Sequence, residues 1–276
     1  MAKPGKAPSE TRDFIVFLLK LGIIVFVLRS FIAAPFNIPS ESMQPRLLIG
    51  DYLLVGKWPY GYSRYSLPFN LPLIPGRILA RDPVPGDVVV FKAPANPQED
   101  WIKRVVALPG DIVQVRAGVL YLNGKAVPKK RVADLVIPAT PNMLEATKRE
   151  GGSSPCYRVK YEVHAKDGSL ECHYPQFHET LPNGRGYNVL DVADGPEDNT
   201  PVFLVPQGHV FVMGDNRDRS ADSRVPVALG GVGFLPQQNL VGRALISVFS
   251  TDGSANWFLP WTWVSAARFS RIGEGF

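Results

Sequence analysis

Only two cysteines, Cys156 and Cys172, occur among 276 residues, and no C-x-x-C pair is present. That pair marks most structural zinc sites, so its absence argues against a metal although His164 and His173 lie nearby. No metal and no cofactor is implied. The two thiols are either free or bridged; a disulfide closing the loop between them would contribute roughly 3 kcal/mol.

Charge of one sign is also not in large excess. The formal net charge is +5, from 30 Lys and Arg against 25 Asp and Glu, and the charges are scattered. A basic stripe interleaved with aromatics is missing, which excludes the usual nucleic-acid surface. No G-x-S-x-G is found, and none of His164, His173, His178 or His209 sits in a Ser-His-Asp signature. Beyond residue 36 no amphipathic helix of convincing length appears; Leu144–Lys148 suggests one short helical turn. The 25 Gly and 26 Pro instead point to many turns joining short strands.

What is present begins with an apolar run, FIVFLLKLGIIVFVLRSFIAAPF, over Phe14 to Phe36. About 20 helical residues cross a bilayer core of about 30 Å. Lys20 and Arg29 interrupt the run on opposite helix faces and toward its two ends, which suits snorkelling from a spanning helix rather than an interfacial one. The reading is a transmembrane helix over 14–34. Residues 1–13, with Lys3, Lys6 and Arg12, would stay in the cytoplasm, because the next basic residue after the run is Arg46. The rival is a cleaved signal peptide ending at Ala33-Ala34, disfavoured by Pro35 immediately after the cut.

After the anchor, short apolar or alternating runs read as strands: Asp51–Val55, Gly86–Phe91, Ile102–Leu108, Ile112–Val115, Val119–Leu122, Val210–Met213 and Leu245–Phe249. Asn123-Gly124 is a strong hairpin signal. The expected fold of the part after the anchor is an all-β domain built from 35–112 and 202–250. A smaller, more polar, β-rich subdomain over 113–201 is inserted in it. The tail, 251–276, holds Trp257, Phe258, Trp261, Trp263 and Phe269, suiting either a membrane interface or ordinary core packing. Trp58–Gly76, rich in Pro, Tyr and Leu, reads as an excursion near the membrane.

Three segments carry candidate chemistry. Pro39-Ser40-Glu41-Ser42-Met43-Gln44-Pro45 places two serines in a proline-bounded turn a few residues from the anchor. A serine nucleophile needs a base. Lysine serves only when burial lowers its pKa by several units. Lys103 fits, since on a strand Trp101, Lys103 and Val105 share a face and exclude water from the amine; the alternative is a snorkelling edge-strand lysine. The third segment, Gly214-Asp215-Asn216-Arg217-Asp218-Arg219-Ser220-Ala221-Asp222-Ser223-Arg224, is either a charged loop or a hydrogen-bonded buttress under a site.

Three blocks together resemble the bacterial type I signal peptidases, which are Ser/Lys proteases. They are PSESMQPRLLIGDYLLV, then GDVVVF with WIKRVVALPGD, then GDNRDRSADSR with NLVGRA, in fitting order and spacing. With the anchor they cover about a third of the chain. The resemblance implies an all-β fold, shared with the self-cleaving repressors, that carries an inserted domain. It implies Ser42 as nucleophile and Lys103 as general base. Ser40 would serve the oxyanion, Ser220 would hold the lysine amine, and Asp222 with Arg224 would form a supporting salt bridge. Arg104 would support structure on the opposite strand face. Phe36, Ile38, Met43, Leu47, Leu53, Val90, Trp101 and Ile102 match pocket-lining positions, for cleavage after Ala-x-Ala-type sites. The implied partners are signal peptides of exported preproteins and the lipid bilayer, with no nucleic acid. The implied location is the cytoplasmic (inner) membrane, single-pass, with the catalytic domain on the outer face. Two other readings compete: a self-processing Ser/Lys protease, and a membrane-tethered β-module without activity.

Overall fold

The structure is a computed structural model that describes residues 10–149, 151–256 and 258–276. Lys3, Lys6 and Trp257 lie outside these. Helix α1, Glu10–Val27, continues through a π-helical turn at Leu28–Ile32. The whole stretch is long and apolar enough to cross a membrane, and its most apolar 18-residue window has a mean hydropathy of 2.5. No residue of α1 is buried against the protein.

The apolar run does not stay helical to its end, which corrects the expected limit of residue 34. Ala33–Asn37 is strand β1, with Ala33 opposite Gly56 and Ala34 opposite Val55. Proline cannot donate to a helical ladder and biases the residue before it toward extended backbone, so Pro35 ends the helix here. The junction is tied down. Lys57 N–H donates to Ile32 C=O at 2.9 Å, Tyr62 Oη donates to Phe31 C=O at 3.0 Å, and the Phe31 and Tyr62 rings meet edge-on.

A seven-stranded antiparallel sheet forms the main body. Its strands are β1, β2 (Asp51–Gly56), β3 (Val88–Lys92), β4 (Asp100–Ala107), β5 (His209–Met213), β6 (Leu235–Pro236) and β7 (Leu240–Ser250). Their spatial order is β1-β2-β7-β3-β4-β5-β6. The sheet curls into a half-barrel. On β3 the two-residue period sends Val88 and Val90 into one core cluster and Val89 and Phe91 into another. Burial on both faces explains why that strand is a continuous apolar run rather than an alternating one.

Residues 112–126 form a small sheet with Phe203–Leu204, and it packs on Val106, Ala107, Phe211 and Met213 of the main sheet. Asn123 and Gly124, both at positive φ, make the anticipated turn between Val119–Leu122 and Lys125–Ala126. A second four-stranded sheet comprises Lys129–Pro138, Glu162–His164, Leu170–Thr180 and Gly186–Leu190. Beside it Cys156 and Cys172 form a disulfide, fully buried with Tyr174 and Met143. The short turn anticipated at Leu144–Lys148 is instead a nine-residue helix, α2, over Pro141–Arg149. It buries Met143, Ala146 and Thr147.

The tail carries a last helix, α3, Trp261–Ala266. Phe258, Trp261, Trp263 and Phe269 are exposed, so ordinary core packing does not account for them. The tail is nevertheless fastened to the sheet. Arg268 and Arg271 both bond the buried Asp51 carboxylate, and Ile246 pairs with Gly275.

Candidate active site

The β1–β2 connection brings Ser40 and Ser42 over the middle of the sheet, where β4 presents Lys103. Lys103 Nζ lies 2.8 Å from Ser42 Oγ and donates to the Ile102 carbonyl at 2.9 Å. The lysine is only 5% exposed, and its amine lies 5.7 Å from the centre of the Trp101 ring. Burial lowers its pKa from 10.5 to about 8, against the opposing pull of Asp222 and Asp215. An amine in that state is a usable base near neutral pH. Ser40 Oγ lies 3.4 Å from Ser42 Oγ.

Beneath the two serines lies the turn that follows β5. Asn216 N–H donates to Ser42 C=O at 3.1 Å. Asp222 is fully buried and accepts from Gly214 N–H at 3.0 Å and from Arg224 Nε and Nη2, both at 2.9 Å. Burial disfavours its charge, but Arg224 and these donors more than offset that and hold its pKa below the usual carboxylate range. Arg224 also donates to Arg217 C=O at 2.6 Å. Ser220 is buried beside Gly214, and its hydroxyl makes no hydrogen bond. The lysine amine is therefore held by Ser42 and the Ile102 carbonyl, not by Ser220.

The site opens into a cleft of about 630 Å³. One wall is Phe36 to Ser40, the other is Glu99 to Lys103, and Val90, Arg219 and Ala221 complete it. Five of the eight anticipated lining residues are on the cleft: Phe36, Ile38, Val90, Trp101 and Ile102. Met43, Leu47 and Leu53 are not. They are completely buried in the cluster that also contains Ile38, Val90 and Ile102, so they back the wall rather than form it.

A profile of the family described as "Signal peptidase, peptidase S26" matches residues 11–249. The chain belongs to the peptidase S26 family of signal peptidases. S26 relatives named signal peptidase I include one from Rickettsia typhi, 36% identical over 90% of this chain and 88% of its own. Another, from Rickettsia massiliae, is 35% identical over 97% of this chain and 93% of its own. A crystal structure of a signal peptidase I from Enterococcus faecalis covers 59% of this chain and 97% of its own, at 24% identity and a TM-score of 0.30. The S26 assignment rests on the sequence matches.

Several residues around this S26 site were not singled out from the sequence. Asp215 receives Arg104 in a two-point bond, at 2.7 and 2.6 Å. Arg217 makes a similar fork to Glu179, at 2.8 and 2.5 Å, and Tyr187 Oη adds a third bond to that carboxylate. Glu179 and Tyr187 belong to the second small sheet, so the inserted region is clamped to the loop under the serines. The crowding of acids and arginines at 214–224 was a visible signal for Asp215 and Arg217. Glu179, a single acid in a polar stretch, gave none.

Proposed function

We propose that this chain is a membrane-anchored serine endopeptidase that removes signal peptides from exported preproteins, with Ser42 as nucleophile and Lys103 as general base. The observation that carries this reading is the 2.8 Å contact between a buried, pKa-lowered amine and a serine hydroxyl at the wall of a cleft. In the attack, Ser42 Oγ bonds to the scissile carbonyl carbon while its proton passes to neutral Nζ. The carbonyl oxygen becomes an oxyanion, which Ser42 N–H and Ser40 Oγ are suited to stabilise. The Lys103 ammonium then returns the proton to the leaving amine as the peptide bond breaks. Water, deprotonated by the same amine, hydrolyses the acyl-Ser42 ester.

The strand layout supports a binding mode. β1 is the edge of the sheet, and β5 pairs with β4 only from Arg104 onward. Among the described residues, 100–103 have no strand partner on that side. Both segments run from the anchor end toward Ser42. An extended peptide rising from the bilayer could lie between them, parallel to both, in the manner of strand addition. Alternate side chains of such a peptide face the same way. Residues P1 and P3 would then meet the wall of Ile38, Val90 and Ile102, backed by a close-packed cluster with no room for bulk. This favours small residues at both positions, as in Ala-x-Ala sites.

The location follows the anchor. A retained α1 spans the inner membrane with its N-terminus in the cytoplasm and the β domain outside. A cut at Ala33-Ala34 would remove the buried Ala34 and the start of β1 from the sheet, which argues for retention. The test is an assay of the purified full chain in detergent on a preprotein with an Ala-x-Ala site. Ser42→Ala and Lys103→Ala should each abolish cleavage with the fold intact by circular dichroism. Undiminished cleavage by the Lys103 variant would overturn the Ser/Lys mechanism.

A further inference from the structure

The cleft is polarised along its length. Glu99 and Asp100 lie at the end where Phe36 stands next to the anchor. Lys57, which bonds the last residue of the anchor through its backbone, has its amine over the Phe36 ring and within the field of Asp100. Among the described residues, Arg219 is the only positively charged one on the cleft wall apart from Lys103. It pairs with Glu41, Nε to Oε2 at 3.4 Å, and Glu41 lies beyond Ser40 along the chain from Phe36. Its guanidinium carbon lies over the ring of Tyr157, 5.1 Å from the ring centre, next to the disulfide of the inserted region.

Three arginines occupy this loop, and two of them are purely internal. The side chains of Arg217 and Arg224 are 3% and 1% exposed, whereas that of Arg219 is 25% exposed. A carboxylate and an aromatic ring therefore hold Arg219 in place while it still reaches the cleft. A guanidinium fixed in this way loses little entropy on meeting a second carboxylate. If the peptide runs from Phe36 to Ser42, as the proposed function has it, the residues after the scissile bond are the ones that come to Arg219.

Resting on that reading, we infer that Arg219 is a specificity-determining residue that reads the charge of the first residues of the mature chain, favouring an acidic one and opposing a basic one. The opposing part follows from a fixed cation beside an incoming cation. The pair is partly exposed, so the effect is one of selection rather than of an absolute requirement.

Three versions of one preprotein test this, identical through the scissile bond and carrying Glu, Gln or Lys at the two positions after it. The full chain in detergent micelles cleaves each, and the readout is the ratio of kcat/KM values. Wild type should prefer the Glu over the Lys substrate by about fivefold or more, a ratio that corresponds to a partly exposed charge pair. Arg219→Gln should bring the ratio to within about twofold, and Arg219→Lys should keep the order. Raising salt from about 0.05 to about 0.5 M should shrink the wild-type ratio, because screening shortens the reach of the charge.

An unchanged ratio in Arg219→Gln, or a uniform loss on all three substrates, overturns the inference and leaves Arg219 as a support for its loop. So does a wild-type ratio near one, or one that salt does not move; the salt series decides the matter even if the Gln variant is inactive. Failure of wild type to cleave any of the three overturns the proposed function itself, and the inference with it.

Discussion

Ser42 and Gly214 touch through their backbones: a methyl group on Gly214 would lie 2.5 Å from the Ser42 carbonyl oxygen. The same methyl would lie 2.3 Å from Ser220 Oγ. The Ser42 carbonyl is held in place by Asn216 N–H, and Gly214 is kept from moving away by the bond from its own N–H to Asp222. Gly214→Ala should therefore lower stability by about 1–3 kcal/mol through overpacking. It should also lower kcat on the order of a hundredfold, because displacement of Ser42 by even part of an ångström spoils its alignment. Urea unfolding and preprotein cleavage measure the two effects separately.

Under the proposed function Lys103 must be neutral to accept a proton. With a pKa near 8, kcat/KM should rise about tenfold per pH unit below that value and level off above it. A profile that rises only near pH 10 would contradict a buried amine.

The same burial has a cost in stability. The folded amine titrates near 8 and the unfolded one near 10.5, so below pH 8 both states are charged and the folded state carries the whole penalty. The penalty, on the order of 3 kcal/mol, fades as pH rises from about 8 to about 10.5. Lys103→Met should be inactive and yet more resistant to urea at pH 7 than the parent, with the difference shrinking toward pH 10.5.

Asp222 raises the pKa of Lys103, opposing burial. Asp222→Asn removes that pull, so the acidic limb of the kcat/KM profile should move to lower pH. The same change strands Arg224 in the interior without a countercharge and should cost about 3–5 kcal/mol. Measuring the profile on the folded fraction separates the two consequences. An acidic limb that moves upward would refute the electrostatic account.

Glu179 and Arg217 are both fully buried and join the inserted region to the loop beneath Ser42. Glu179→Gln should destabilise by about 3–5 kcal/mol, since it leaves a buried guanidinium unpaired. Its effect on cleavage should follow unfolding, with no shift in the pH profile, because Glu179 is not among the groups that perturb Lys103.

Much of this arrangement was legible in the sequence, and for definite reasons. Strand β3 announces itself as Val-Val-Val-Phe after Gly-Asp, and Asn123-Gly124 supplies the two left-handed residues its turn needs. Ser42, Lys103 and the Asp222–Arg224 pair sit in three blocks dense enough in unusual residues to be read together. The end of the helix was less clear. Ala33, Ala34 and Phe36 continue the apolar run, and hydrophobicity alone does not separate a helix in lipid from an edge strand on a core. α2 was underestimated because Pro141, Asn142 and Thr147 are poor helix formers, and its register is fixed by burial of Met143 and Ala146 instead. Met43, Leu47 and Leu53 are apolar residues in or near the serine segment. Sequence cannot tell a residue that forms a wall from one that stands behind it.

The junction at Ile32 gives the bilayer a metric role. The helix passes into β1 without a linker, and β1 leads directly to the serine turn, with Lys57 and Tyr62 bonding the joint. The height of the serine above the lipid is consequently set by a short, hydrogen-bonded stretch of chain, with little slack to stretch or fold back. Under the proposed function the enzyme works as a fixed-depth gauge. A substrate is sorted by how far its own membrane segment lets it rise, before any side chain at the cut is compared with the pocket.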